Sequence, residues 1–342
     1  MKALVLTEVS KFTYMDVETP LPGPGEVQIN VKACGICGSD FHGYDGSSGR
    51  RVPPIIIGHE ASGIISAVGE GVKRYKVGDA VVFQSMWYCR DCEQCHDGTP
   101  NRCDNGLCYG VNTGTAKRDG AMCEYVVVPE YMLYRIPEGV DFNTAALIEP
   151  MGIALHAVEG VRIHMDDTAL VYGAGLIGTL ILKFLKASSA GRVIVVELDE
   201  NKKELARKNG ADEVIDGRED VPARVKELTG GKGCDIAFEA IGIPITVKNS
   251  VLCLKKGGTL VQVGNVTPEA SFPLQYLVFN EITIKGVCYS ISEYEQALNM
   301  LQKGTIDVSD CISACVPLKD GQEWFDRLHA GEPGLVKVVL NP

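Results

Sequence analysis

The hydrophobic pattern changes character near Glu149-Pro150. Before that point, short β-rich runs (Ala3–Leu6, Glu26–Val31, Gly63–Val68, Ala80–Phe83 and Cys123–Val128) are separated by Pro-Gly and Gly-Asp turns such as Leu21–Gly25 and Val77–Asp79. Runs of this length bounded by turn residues predict an all-β domain, most simply a barrel, with its chemistry in the loops. After Pro150 apolar strands alternate with helical periodicity. Strands are expected at Ala169–Tyr172, Val193–Glu197, Glu213–Ile215, Asp235–Glu239, Thr259–Val263 and Ile282–Val287. Helices are expected at Leu176–Ala187, Lys202–Asn209, Val221–Leu228 and Ile245–Cys253. Such alternation predicts a doubly wound parallel sheet. The tail shows a helix over Ser292–Gln302, a strand near Val336–Leu340 and little else. It is too small to bury a core of its own, so it is expected to return to the first domain. The expected division is 1–150, 151–288 and 289–342.

Composition narrows the function. A chain of 342 residues with 45% hydrophobic and 23% charged residues suits two packed cores. Its formal net charge is -11, and no Lys/Arg cluster exceeds two residues. Neither nucleic acid nor an anionic membrane is an expected partner. No apolar run approaches a bilayer span, and Met1–Thr7 reads as a strand rather than a secretory signal, so a cytoplasmic location is expected. In that setting the 13 cysteines point to metal where they cluster and to buried thiols where they scatter.

Gly173, Gly175 and Gly178 have GxGxxG spacing between an apolar strand and an apolar helix. The first glycine allows a tight turn, the second admits a pyrophosphate to the backbone, and the third lets helix pack on strand. The helix start at Leu176 and Ile177 offers free N–H groups to phosphate. Glu197 ends the next strand, where a carboxylate accepts the adenosine ribose hydroxyls and repels a 2′-phosphate. Leu198–Asn201 supply no arginine, so NAD is expected over NADP.

Cys89, Cys92, Cys95 and Cys103 follow C-x2-C-x2-C-x7-C. One loop with four thiolates closes a tetrahedral zinc, and such a zinc is structural; an iron–sulfur cluster is the competing metal. A second constellation comprises Cys37, with Ser39, Asp40 and His42 following it, then His59-Glu60, and Glu149, placed in loops and at the end of the β domain. A thiolate, an imidazole and a carboxylate leave a fourth position open, as a catalytic zinc requires.

Taken together, Cys37-Gly-Ser-Asp40, Gly58-His-Glu-Ala-Ser-Gly63, Val68-Gly-Glu-Gly71, Val77-Gly-Asp79, the four-cysteine loop, Asp119–Tyr125, Glu149-Pro150 and Gly173–Gly178 resemble the zinc-containing medium-chain alcohol dehydrogenases, in the polyol branch typified by sorbitol (L-iditol) dehydrogenase. The segments run in family order along nearly the whole chain. The resemblance implies an α/β plus all-β fold: a chaperonin-10-like (GroES-like) β domain with an inserted Rossmann domain. It also implies zinc and nicotinamide meeting between the two, and a homodimer or homotetramer, for which the strand Ile282–Val287 is a candidate edge.

Carried over residue by residue, the resemblance implies that Cys37, His59 and Glu60 ligate the catalytic zinc. Glu149 stands where other members place a second cysteine; it either joins the metal in some states or meets a substrate hydroxyl through water. Ser39 would accept the alcohol proton, His42 would pass it on, and Asp40 would orient His59. A harder ligand set with Glu149 favours polyols over ethanol. The implied activity is oxidation of a secondary alcohol, a small molecule, to a ketone, with hydride transfer to NAD. Polyol-phosphate, threonine and butanediol dehydrogenases share the motifs. Tyr44 and Phe41 are candidate pocket residues, and Arg50-Arg51 is either a solvated pair or a cation for a phosphate or carboxylate. A zinc-free quinone reductase would lack both cysteine clusters. A non-catalytic NAD-binding protein would have lost the relay or the ligands.

Overall fold

The computed structural model describes residues 1–113, 116–188 and 190–342. They form two compact units, one of Met1–Gly152 with Tyr289–Pro342 and the other of Ile153–Cys288.

The first unit is built on antiparallel pairing around the long strand Glu26–Gly35. Its sheet runs Leu133–Arg135, Ala80–Phe83, Glu60–Val68, Glu26–Gly35, Lys337–Asn341, Ile312–Pro317, and Tyr125–Pro129 also pairs with Glu26–Gly35. Lys11–Asp16, Lys2–Glu8 and Ile55–Ile56 make a smaller sheet. The strands turn Val27, Ile29 and Val31 into a core with Val81, Phe83, Val126 and Val128. The C-terminal strand Lys337–Asn341 buries Val338 and Leu340 in that same core.

The tail is richer than its pattern predicts. It adds the strand Ile312–Pro317 and the helix Gly321–His329. The strand lies at the sheet edge and alternates half-buried with exposed positions, so it carries no apolar run. The helix buries only Phe325 fully among its large side chains, which leaves too narrow a stripe to be read from sequence.

The second unit is a six-stranded parallel sheet ordered Glu213–Asp216, Arg192–Glu197, Thr168–Tyr172, Cys234–Glu239, Leu254–Gln262, Thr283–Gly286. Val193–Val196 are buried without alternation, as a strand covered on both faces requires. Its helices begin at legible caps. Asp199 accepts from Lys202 N before Glu200–Lys208, and Asp220 accepts from Ala223 N before Val221–Leu228. The chain leaves Thr168–Tyr172 first to one side and later, through Cys234–Glu239, to the other. That reversal is the topological switch point where this fold binds nucleotides. Among the described residues no helix is long and apolar enough to cross a membrane.

Candidate active site and metal centres

Two ends of strands and one short helix assemble the first constellation. Strand Glu26–Gly35 delivers Cys37, which is followed by the helix Gly38–Tyr44. The expectation of a loop here is corrected. Gly38, Ser39, Asp40 and Gly43 are weak helix formers, and the turn closes because Asp40 Oδ2 accepts from Cys37 N at 3.1 Å. Ser39 and His42 lie three residues apart on this helix, hence on one side of it. His59 directly precedes the strand Glu60–Val68, so Glu60 is a strand residue rather than part of a loop.

Cys37, His59 and Glu60 converge, their donor atoms all lying within 4.8 Å of one another. His59 and Glu60 are buried and Cys37 is half-buried. One thiolate, one imidazole and one carboxylate at that separation form a donor set that fits a catalytic zinc. His59 Nδ1 faces Asp40 Oδ1 at 3.6 Å, which leaves Nε2 as the metal-facing nitrogen. Burial alone would depress the imidazole pKa, but Cys108, Asp40 and Cys37 around it raise it well above its ordinary value. Glu60 Oε2 meets Lys337 Nζ at 2.5 Å, and the same ammonium donates to Ile36 O at 2.7 Å. Both charged side chains are almost wholly buried.

Glu149 stands one step out. It lies in the helix Ile148–Glu159, is buried, and its Oε1 accepts from Ser85 Oγ at 2.7 Å. Burial pushes its carboxyl pKa up; nearby His59 works against this and Glu60 adds to it. It is not among the donors that converge with Cys37 and His59.

Ser39 is exposed, donates to Cys37 Sγ at 3.3 Å and accepts from Arg51 Nη2 at 3.1 Å. His42 Nδ1 lies 3.3 Å from Ser47 Oγ. Tyr44 does not line a pocket. It is 3% exposed, stacks on Phe12 and donates to Asp326 Oδ1 at 2.5 Å. Phe41 packs edge-on against Phe325. Arg50 is exposed, as a solvated charge would be, but Arg51 is buried against Asp40.

The second constellation, Cys89, Cys92, Cys95 and Cys103, also converges within 4.8 Å. All 13 cysteines of the chain are unbridged. Cys92 Sγ lies 3.8 Å from Cys103 Sγ, and Cys103 Sγ lies 3.5 Å from Cys89 Sγ. A tetrahedron of thiolates at the usual zinc–sulfur distance has edges of about 3.8 Å, so this set fits structural zinc. A hydrogen bond from Asn105, with further ones from the N–H groups of Asp91 and Cys92, pulls the Cys89 thiol down to about 6.

In the parallel unit Gly175 caps the helix Leu176–Ala187, whose first residues are Leu176, Ile177 and Gly178. Gly173 has φ 95°, a conformation that L side chains rarely adopt. A Cβ on Gly178 would lie 1.7 Å from Gly173 O, so only glycine lets the helix approach the turn. Glu197 Oε2 accepts from Ala174 N at 2.7 Å, while Oε1 accepts from Leu198 N and Asp199 N. The acid and the glycine turn are therefore joined at the end of the strand.

Sequence reasoning missed three neighbours, Ser85, Lys337 and Arg218, and weighed Arg51 only as a solvated charge or an anion-binding cation. Arg218 donates to Leu198 O at 3.2 Å and pairs with Asp216 at 2.8 Å, so an arginine does reach the Glu197 turn, from the turn after the strand Glu213–Asp216. No local motif announces any of the three.

Residues 23–138 match the alcohol dehydrogenase GroES-like domain family, and residues 177–303 match the zinc-binding dehydrogenase family. A probable D-xylulose reductase A from Emericella nidulans is 32% identical over 350 residues, spanning 99% of this chain and 96% of that protein. Among solved structures, 2R,3R-butanediol dehydrogenase from Bacillus subtilis is 31% identical with a TM-score of 0.89, covering 100% of this chain and 99% of its own. An alcohol dehydrogenase from E. coli CFT073, solved with NADH, is 30% identical with a TM-score of 0.92 over 100% and 99%. The two matched domains, the length of these likenesses and the donor sets described above make one conclusion: the chain belongs to the zinc-containing medium-chain alcohol dehydrogenase family, in its polyol branch, and is an NAD-dependent oxidoreductase.

Proposed function

We propose that this enzyme oxidises a secondary hydroxyl of an unphosphorylated polyol to the ketone, with its chemistry at Cys37, His59 and Glu60. The convergence of those three donors beside the Ser39 hydroxyl carries the reading. When bound, zinc supplies Lewis acidity toward the substrate hydroxyl and NAD supplies the hydride acceptor. Ser39 Oγ takes the proton that the alcohol loses and gives up its own, which His42 passes on to solvent. Asp40 keeps His59 in the orientation that leaves Nε2 free. Ser85 anchors Glu149 Oε1, so that this carboxyl group can receive a second hydroxyl of the substrate, as a vicinal diol would offer. The closed site at Cys89, Cys92, Cys95 and Cys103 would hold the structural zinc.

Gly173, Gly175, Leu176, Ile177 and Gly178 would hold the pyrophosphate of NAD, and Glu197 would hold the adenosine ribose. Arg218 is committed to Asp216 and to Leu198 O, which supports NAD over NADP. Arg51 is likewise committed, to Asp40, which argues against a phosphorylated substrate. A homodimer formed through the strand Thr283–Gly286 fits that strand's position at the sheet edge.

The test is reduction of NAD, followed by absorbance, against sorbitol, iditol, galactitol phosphate, butanediol, threonine and inositols, with metal analysis on the same sample. Turnover with an unphosphorylated polyol and two zinc ions per chain is expected. Turnover confined to threonine or a sugar phosphate would overturn the substrate assignment. Two bound zinc ions with no reduction of NAD by any alcohol would favour a non-catalytic NAD-binding role.

A further inference from the structure

We propose that Arg51 is a positioning residue of the reaction, its guanidinium fixing the Ser39 hydroxyl and the Asp40 carboxylate in one arrangement; this rests on the reading of Ser39 as proton acceptor. The Arg51 side chain is 6% exposed and that of Asp40 is wholly buried. A single nitrogen, Nη2, lies 3.0 Å from Asp40 Oδ1 and 3.1 Å from Ser39 Oγ. Asp40 in turn faces His59 Nδ1 and closes the turn at Cys37 N. One cation thus spans the side chain that orients a ligand and the hydroxyl that handles the proton.

The chemistry of the group gives this contact a direction. A guanidinium has donors only, so it occupies a lone pair of Ser39 Oγ and cannot receive the serine proton. The hydroxyl hydrogen is then turned away from Arg51, and it points at Cys37 Sγ, 3.3 Å away. Without Arg51 the hydroxyl of this exposed serine would be held by its contact with Cys37 Sγ alone. The positive charge also stabilises the oxygen while it is between protons.

The seat for this side chain is built into the helix. A Cβ on Gly43 would lie 2.0 Å from Arg51 Cδ and 2.8 Å from Cγ. Gly43 is inside the helix Gly38–Tyr44, where glycine costs about 1 kcal/mol relative to alanine. The helix therefore gives up stability to let the arginine stem pass. The backbone on either side is tied down as well, with Asn112 N donating to Arg50 O and a bridge pairing Arg51 with Asn112. A buried ion pair is no better for stability than apolar packing of the same volume, so stability alone gives no reason for an arginine here.

Arg51→Lys keeps the charge beside Asp40, but its stem is shorter and its freely rotating ammonium lacks the fixed N–H directions with which Nη2 meets both partners. Arg51→Lys, Ser39→Ala and the double variant would be compared with wild type for kcat, KM for polyol and NAD, zinc content and thermal midpoint. The expected result is a fall in kcat of about tenfold or more in Arg51→Lys, with both KM values, zinc and midpoint little changed. In the double variant the loss should equal that of Ser39→Ala alone, because the arginine acts through that serine. Arg51→Gln, which keeps an N–H donor without the charge, should fall with Arg51→Lys. Full turnover in Arg51→Lys with a slow Ser39→Ala would overturn the role of Arg51 alone. Multiplicative losses in the double variant, or a fall in turnover matched by loss of zinc or of thermal midpoint, would reduce Arg51 to a structural ion pair. Wild-type turnover in Ser39→Ala would overturn the proton-acceptor reading itself.

Discussion

At the scale of single residues, the site depends on charges that only a partner far along the chain makes tolerable. Lys337 and Glu60 are 277 positions apart in sequence and meet at 2.5 Å with almost no exposure. Breaking such a pair from one side leaves an uncompensated buried charge, at a cost of about 3–5 kcal/mol. Lys337→Met should therefore lower the thermal midpoint by several degrees, and Lys337→Met with Glu60→Gln should regain much of it; equal midpoints for the two would refute the coupling. Glu197 invites a different measurement. Replacing it with Ser frees the N–H groups of Leu198 and Asp199 and removes the charge that opposes a 2′-phosphate. Binding followed by NADH and NADPH fluorescence should show the gap between the two cofactors narrowing at least tenfold. The converging donors Cys37, His59 and Glu60 were legible through the family resemblance of the short motifs that hold them, since each residue type alone is common. Ser85 and Lys337 were not, and Arg51 was legible only as a charge without its role, since their meaning lies in contacts 64, 277 and 12 residues away.

At the scale of elements, the same division follows from where order originates. Helix Leu176–Ala187 and helix Val221–Leu228 could be bounded from sequence because periodicity, caps and flanking strands agree. Helix Gly38–Tyr44 and helix Gly321–His329 owe their order to each other. Phe12 stacks on Tyr44 and Phe325 packs tilted against both, while Tyr44 Oη donates to Asp326 and accepts from Gln322. Burial first, then the hydrogen bond to Asp326, pushes the Tyr44 pKa up to about 12. The folded state thus holds the phenol proton where the unfolded chain, titrating near pH 10, has released it. This contribution is whole below pH 10 and is lost as pH rises through 12. Tyr44→Phe should be less stable at pH 8 but should lose stability less steeply above pH 10, as read by urea midpoints across that range. The loop of four cysteines is an element of another kind, one that a zinc ion would close. Cys103→Ser should lower zinc from two to one per chain and reduce the thermal midpoint, whereas retention of both ions would show that Cys103 is no ligand.

At the scale of the whole molecule, the parallel sheet ends in an unpaired edge. The strand Thr283–Gly286 has one neighbour, and before it come Leu274, Val278 and Phe279, exposed by 68%, 59% and 78%. An edge with apolar side chains beside it invites pairing with a second copy. Sedimentation should find a dimer at micromolar concentration, and Ile284→Lys with Phe279→Asp should shift it toward monomer; a wild-type monomer would sink this arrangement. The change from an antiparallel to a parallel pattern near Pro150 was readable because the side-chain period itself changes there. The return of the tail could be expected from its size, but the pairing of Lys337–Asn341 with Cys34 and Gly35 follows from no local signal.

That pairing has a consequence for how a new molecule matures. On the ribosome the contiguous stretch Ile153–Cys288 is free to collapse while the tail is still being made. The first unit has to wait, because Lys337 emerges after the whole of Ile153–Cys288 and until then Glu60 has no counter-charge. A nascent chain would thus be ready for its nucleotide before it is ready for its catalytic ion, and a product cut short before Lys337 would be a dinucleotide binder without a finished metal pocket.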